Sequence, residues 1–363
     1  MLKRLHIRNF TVFEDAEFEL SEGLNVVVGT NGSGKTHLLK LAYTIESVGA
    51  KILNDEWLVQ DAHNWANGLS RGLMGRFRPE SIGRLVRAQA KNGRKRNSLA
   101  VIEAEFLKGN QAAVEFKLAA NAQLTPDHRK LPITVSKFPK GNELIMPVLM
   151  PAKEMLAMFT GLTSLARERA ISIDQTYVDL AEHLEAPAKN KLDAYAKKAI
   201  ASLEHIMGGK ILLENGRFYF YPPKGERQAI DMVAEGFRKL ATIVQLLSNG
   251  RLSPNNTLYW DEPEANLNPA LLREVAALLV TLVQAGIQVV LATHSLFLLK
   301  EIHILAYKKK ASVRYFGLSA ETGEATSVTM SDNLELLPDI VALDAELAQT
   351  DRFQEVLDRK HAE

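Results

Sequence analysis

Gly29-Thr30-Asn31-Gly32-Ser33-Gly34-Lys35-Thr36 is the segment whose residue types and spacing most clearly imply chemistry. It meets the phosphate-binding pattern G-x-x-x-x-G-K-[ST] at each fixed position. Small loop residues bring backbone N–H groups up to an anion, and a helix starting at Lys35 adds the positive end of its dipole. Asn31, Gly32, Ser33 and Gly34 form that cradle. Lys35 is suited to the β- and γ-phosphates, and the Thr36 hydroxyl to Mg²⁺. The expected ligand is a nucleoside triphosphate with Mg²⁺.

Two later segments supply what hydrolysis of such a ligand would need. Thr257-Leu258-Tyr259-Trp260 leads into Asp261-Glu262-Pro263-Glu264-Ala265-Asn266-Leu267-Asn268-Pro269. An apolar strand thus delivers acidic residues to its C-terminal end, where α/β sheets hold their ligands. Asp261 is placed to support the metal together with Thr36, and Glu262 to polarise the attacking water as general base. Further on, the apolar run 287–292 ends in Thr293-His294-Ser295, which makes His294 a candidate for the γ-phosphate or the attacking water.

These groups must be held by strands and helices that the hydropathy pattern outlines. Residues 1–29 read as three strands, the last of them the buried run before the phosphate loop. Apolar residues at helical spacing from Lys35 to Val48 predict the helix that follows. Residues 99–107 and 112–119 predict an antiparallel pair across Gly109-Asn110, and 131–138 and 143–150 add two further strands to the same antiparallel lobe. Residues 151–208 read as helices. A hairpin is expected at 210–214 and 217–221 across Asn215-Gly216, and a terminal helix pair at 333–361. The expected organisation is 1–150, 151–208, 209–331 and a tail from 332.

Taken together, the phosphate loop near the N-terminus, D-E-P-E-x-N-L-x-P far downstream and T-H-S after the next strand resemble the ATP-binding-cassette ATPases. Within that class the opening Leu2-Lys3-Arg4-Leu5-His6-Ile7-Arg8-Asn9-Phe10 is similar to the soluble branch of RecF, the SMC ATPases and OLD-like defence ATPases. The resemblance covers about 1–50 and 210–300 and implies an α/β P-loop fold. That fold has a central, mostly parallel sheet, an antiparallel β-lobe and a small helical lobe. It places Arg8 and Asn9 near the nucleotide base and α-phosphate. The helical piece is short and carries no sustained heptads, so a long coiled-coil arm is not expected.

The resemblance also implies composite sites, in which two heads sandwich two ATP molecules and each head's signature helix meets the other's γ-phosphate. Val233-Ala234-Glu235-Gly236-Phe237-Arg238-Lys239 is the candidate signature. Ala234 and Glu235 depart from the usual serine and glycine, Gly236 keeps a free N–H, and Arg238 or Lys239 could add charge. Asn266 and Asn268 resemble the D-loop, Asn268 standing where aspartate is usual. The junction that should carry a glutamine reads Met150-Pro151-Ala152-Lys153-Glu154, leaving Lys153 or Glu154 for that role.

Composition narrows the function. The 363 residues are 46% apolar, enough to fill a core, and the net charge of +1 gives no general attraction to nucleic acid. Absence of cysteine excludes disulfides and thiolate chemistry, and no apolar run is long enough to span a membrane, so a cytoplasmic protein is expected. Between Arg71 and Arg96 lie nine basic residues and one acid, with Arg94, Lys95 and Arg96 at an expected loop tip. DNA or RNA phosphates, an acidic partner and plain solvation are all open for that tip. Asp179, Glu182 and His183 share a helical face that reads as solvated. The expected function is an ATPase switch in a prokaryotic antiphage-defence system. It would act as a homodimer or higher assembly with a separately encoded effector, often a nuclease. A RecF-like repair ATPase clamping duplex DNA is the alternative.

Overall fold

The computed structural model describes residues 1–87, 90–91, 94–95, 99–107, 113–124, 131–141, 144–168, 172–321, 324–337, 348–349, 351–355 and 358. The chain opens with β1 (Leu2–Phe10), β2 (Phe13–Glu19) and β3 (Leu24–Gly29), then α1 (Lys35–Asn54) and α2 (Ala62–Phe77). Strands β4 (Ala90–Lys91), β5 (Arg94–Lys95), β6 (Leu99–Phe106), β7 (Ala113–Ala119), β8 (Ile133–Lys137) and β9 (Val148–Met150) follow. Helices α3 (Leu162–Arg167), α4 (Gln175–Leu184) and α5 (Ala194–Met207) lead to a hairpin, β10 (Lys210–Glu214) and β11 (Arg217–Tyr221), with a short β12 (Gln228–Ala229). The second half of the core is α6 (Glu235–Ser248), β13 (Thr257–Asp261), α7 (Pro269–Gln284), β14 (Gln288–Thr293), α8 (Leu296–Lys309), β15 (Val313–Ser319) and β16 (Ser327–Ser331).

The central sheet runs β16-β15-β3-β14-β13-β9, parallel throughout except for the β15–β16 edge. Every residue of β3, β13 and β14 is buried, as expected of parallel strands covered on both faces. Alternation divides their side chains between two cores. Val26, Val28, Trp260 and Leu291 face the helices α4 to α8, whereas Val27, Tyr259, Val290 and Ala292 face α1 and α2. The second core is closed by an antiparallel sheet, β2-β1-β6-β7-β8, so α1 lies between two sheets. That burial on two sides fixes the helix whose first turn carries the phosphate loop.

Several expectations change. Helix α1 continues six residues past Val48. Of the segment 143–150, whose described residues are 144–150, only 148–150 is a strand, and β9 pairs in parallel with β13 at the edge of the central sheet rather than joining the antiparallel lobe. The basic stretch is not one segment: Arg71 and Arg76 belong to α2, and Arg76 is buried. Arg94 and Lys95 form one side of a two-residue strand pair, and Arg96 lies outside the described residues, as does the Gly109-Asn110 turn. Of the terminal helix pair, Leu334–Leu336 is a 3-10 turn, and helical backbone is described at 348–349, 351–355 and 358. Asp179 and His183 are buried rather than solvated, because Arg76 of α2 reaches across to pair with Asp179. Among the described residues no helix is long and apolar enough to cross a membrane.

Candidate active site

Strand β3 ends at Gly29 and the chain turns through Gly32 and Gly34, whose φ values of 83° and 97° lie in the left-handed region. A Cβ at Gly34 would also stand 2.4 Å from the Val12 side chain and 2.9 Å from the Phe13 ring, so glycine is required there twice over. Lys35, the first residue of α1, is buried and donates from Nζ to the carbonyls of Gly29 at 2.7 Å and Thr30 at 3.0 Å. Burial holds its pKa below the usual lysine value, against the pull of the Glu262, Asp261 and Glu264 carboxylates.

Asp261 ends β13, one strand away from β3 across β14. The Thr36 hydroxyl donates to its Oδ2 at 2.7 Å, which joins two motifs that are far apart in the chain. Burial raises the Asp261 pKa, the Thr36 hydrogen bond opposes this, and the neighbouring Glu262 charge adds to the rise. Asp261 Oδ1 and Ser33 Oγ are buried without a hydrogen-bond partner among the described residues. A hydroxyl, a carboxylate and an orphaned carboxylate oxygen make a donor set that fits a hard cation such as Mg²⁺.

Glu262 continues the parallel pairing, its N–H donating to the Ala292 carbonyl at 2.9 Å, but at a φ of 46°. A non-glycine residue in that region is strained, and the strain turns its carboxylate toward His294. Glu262 Oε1 stands 3.5 Å from His294 Nδ1, and Glu264 Oε1 stands 3.3 Å from the same nitrogen. Glu264 does more than the sequence reading assigned to it. Its Oε1 also accepts from Thr293 Oγ1 at 2.7 Å and from the His294 N–H at 2.9 Å, so it fixes the backbone from which the histidine projects. The second glutamate of D-E-P-E was the available signal.

The candidate signature opens α6, with Ala234 as an N-cap that makes no side-chain capping bond. A Cβ at Gly236 would meet the Leu267 side chain at 2.8 Å and the Asn266 carbonyl at 3.2 Å. Glu235 accepts from Asn266 Nδ2 at 2.7 Å. Both basic residues make contacts within the chain. Arg238 Nε donates to Glu154 Oε2 at 2.7 Å, and Glu154 is almost wholly buried. Lys239, also buried, donates to the carbonyls of Ala265 at 2.8 Å and Glu262 at 3.4 Å. Asn268 caps α7, accepting from the Leu271 N–H at 2.9 Å. Arg8 pairs with Glu103 on the neighbouring strand β6, and Asn9 Nδ2 donates to the Leu99 carbonyl at 3.3 Å. Val12 and Phe13, just past β1, lie against Gly34 of the phosphate loop.

Comparison with known proteins agrees with this architecture. A family model described as "AAA domain, putative AbiEii toxin, Type IV TA system" matches residues 24–300, and a second AAA-domain model matches 4–41. The DNA replication and repair protein RecF of Proteus mirabilis is 49% identical over 45 residues, and that of Citrobacter koseri 52% over 44. Each match spans only 12% of this chain and 12% of the relative. An SMC head bound to the C-terminal winged-helix domain of ScpA superposes with a TM-score of 0.57 at 16% identity, covering 92% of this chain and 98% of that one. The SMC head domain from Thermotoga maritima gives 0.51 at 14%, covering 91% and 98%. These likenesses carry the fold.

Proposed function

Because the chain belongs to the AAA-domain family that carries the AbiEii, type IV toxin–antitoxin description, and folds as an ATP-binding-cassette head of the RecF/SMC kind, we propose that it is an ATP-hydrolysing switch. The observation that carries this reading is the bond between Thr36 and Asp261, with Glu262 and His294 beside it. Two strands and a loop bring a phosphate cradle, a metal-ligand pair and a candidate base to one sheet edge.

Each residue then has a task. The N–H groups of Gly32 to Thr36 and the Lys35 ammonium hold the β- and γ-phosphates once Lys35 leaves the Gly29 and Thr30 carbonyls. Thr36 and Asp261 would hold Mg²⁺, which when bound neutralises charge on the phosphate oxygens. Glu262 accepts a proton from the attacking water, and His294 donates to the γ-phosphate from a position fixed by Glu264. A second head would close the site with the N-terminus of its α6, giving a homodimer or larger assembly.

The family description supports a role in prokaryotic defence, and to it we add a separately encoded effector and a cytoplasmic location. The RecF matches favour a second reading, a repair ATPase on duplex DNA, but they extend over only 45 residues, 12% of each chain. Glu262→Gln tests the switch. It should retain ATP and accumulate as a dimer or larger species, because hydrolysis is what reopens the closed state. Light scattering that shows no ATP-dependent mass change, and crosslinking that shows no ATP-dependent contact between heads, would reject composite-site closure. A phage challenge with and without the neighbouring genes separates defence from repair.

A further inference from the structure

Away from the phosphate loop, α1, α2 and α4 enclose a cleft of about 320 Å³. Its floor is the buried pair of Arg76 and Asp179. Arg76 donates from Nε at 3.0 Å and Nη2 at 2.8 Å to the same oxygen, Asp179 Oδ2. Asp179 is further satisfied by Tyr43, whose hydroxyl donates at 3.2 Å, and by Gln175 at 3.1 Å. The remaining Arg76 nitrogen, Nη1, has no hydrogen-bond partner among the described residues, although Arg76 is only 3% exposed. Gly72 leaves the room it occupies: a Cβ there would come within 2.8 Å of Nη1.

Lys51 and Arg71 stand exposed on the rim and form no ion pair among the described residues. One wall is apolar, made by Val48, Ile52 and Leu58. A smaller cavity of about 170 Å³ shares Lys51, Arg76 and Asp179 and extends the cleft to Arg251, with Glu182 as the other acid on its lining. Lys51, Arg71, Arg76 and Arg251 on the two linings outnumber the acids Asp179 and Glu182.

We propose that this cleft binds a small phosphorylated organic molecule of about mononucleotide size, separately from the nucleotide on the phosphate loop. Arginine forks suit phosphate oxygens, and Nη1 at the floor is available to an acceptor on the ligand. The apolar wall gives the body of an organic ligand a surface that bare phosphate would leave uncovered. The volume lies at the lower end of the roughly 300–1,000 Å³ typical of small-molecule sites. Lys51 lies sixteen residues along α1 from Lys35, about 24 Å at 1.5 Å per residue, so the two sites are distinct. The cleft also touches α4, which accepts from α6 through Gln245 Nε2 to the Leu184 carbonyl at 3.0 Å and Asn249 Nδ2 to the His183 carbonyl at 2.9 Å. A ligand there would therefore bear on both the phosphate-loop helix and the signature helix, as a trigger should.

Titration calorimetry on full-length Lys35→Ala, in which the phosphate loop is crippled, tests the site with AMP, GMP and inorganic phosphate as probes. We expect one monophosphate per chain to bind, more tightly than inorganic phosphate. Lys51→Glu and Arg71→Glu, each added to that background, should weaken binding by at least about tenfold, as for loss of a charged hydrogen bond. Lys308→Glu on exposed α8 should leave it unchanged. Thermal melts monitor the fold of each variant. Absence of binding by all three probes at millimolar concentration, or binding indifferent to Lys51 and Arg71, overturns the proposal. Binding of inorganic phosphate as tightly as AMP overturns the organic-ligand assignment. Binding that survives only with Lys35 intact assigns the nucleotide to the phosphate loop alone.

Discussion

Glu264 holds the candidate histidine in place without itself being one of the residues proposed for hydrolysis. It collects the Thr293 hydroxyl and the His294 N–H and stands 3.3 Å from His294 Nδ1, and its other oxygen is buried without a partner among the described residues. Glu264→Ala would leave two donors unsatisfied and the His294 loop untethered. We expect it to lower kcat by about tenfold to a hundredfold, the size of a misplaced catalytic donor, while ATP binding through Lys35 stays within a factor of a few. Equal loss of kcat and of ATP affinity would instead mark Glu264 as structural. Spacing singled out Lys35, Thr36, Asp261, Glu262 and His294 in the sequence: Asp261 ends an apolar strand, Glu262 and His294 directly follow one, and Lys35 and Thr36 open the helix after the loop that leaves β3. Glu264 was visible but had no evident task, because its partners lie 29 and 30 residues away.

At the scale of helices, α6 is tied at its first turns to two distant parts of the same head. Arg238 holds Glu154 at the end of the β9 segment, and Lys239 holds the carbonyls just past β13. Neither link was readable beforehand: the pairs are 84 and 26 residues apart, and only tertiary packing makes them neighbours. Lys239→Met keeps the stem but removes the bonds to the strained Glu262 backbone. It should lower kcat by about tenfold with little change in ATP affinity, in the range of one to two lost hydrogen bonds to a charged group. A parallel loss of ATP affinity would count against this. Helix α4 carries a separate pH dependence. Burial depresses the His183 pKa to about 4 from 6.5, helped by the Arg251 charge and opposed by Asp179. The unfolded chain therefore takes up this proton first as pH falls, so stability present above pH 6.5 is lost between there and about pH 4. Between pH 7 and 5 the loss from this group should be about 2 kcal/mol. Urea unfolding of His183→Asn should show that much less acid sensitivity; an unchanged difference between the two pH values would refute the assignment.

On the scale of the whole molecule, the central sheet interleaves distant parts of the chain. Strand β3, which delivers the phosphate loop, is hydrogen-bonded on one side to β14 and on the other to β15. Apolar runs predicted these strands one by one, but not their order. The three-residue β9 was assigned to the wrong sheet because V-L-M suits a buried edge in either. Removal of the chain from residue 311 onward deletes β15 and leaves one side of β3 unpaired. That truncation should abolish nucleotide binding and near-ultraviolet circular dichroism together, although every phosphate-loop residue remains; ATP binding by a folded truncated chain would contradict it. The same interleaving sets a timetable for synthesis. The phosphate loop is translated within the first tenth of the chain, yet the strand that completes its support ends at Ser319. At roughly 5–20 residues per second, some 15–60 seconds separate translation of the loop from translation of its last supporting strand. During that interval the nascent polypeptide presents unpaired apolar strands and no nucleotide site. Ribosome-bound chaperones are then the expected guardians of this protein, and ATP cannot act as a folding ligand until β15 has been translated.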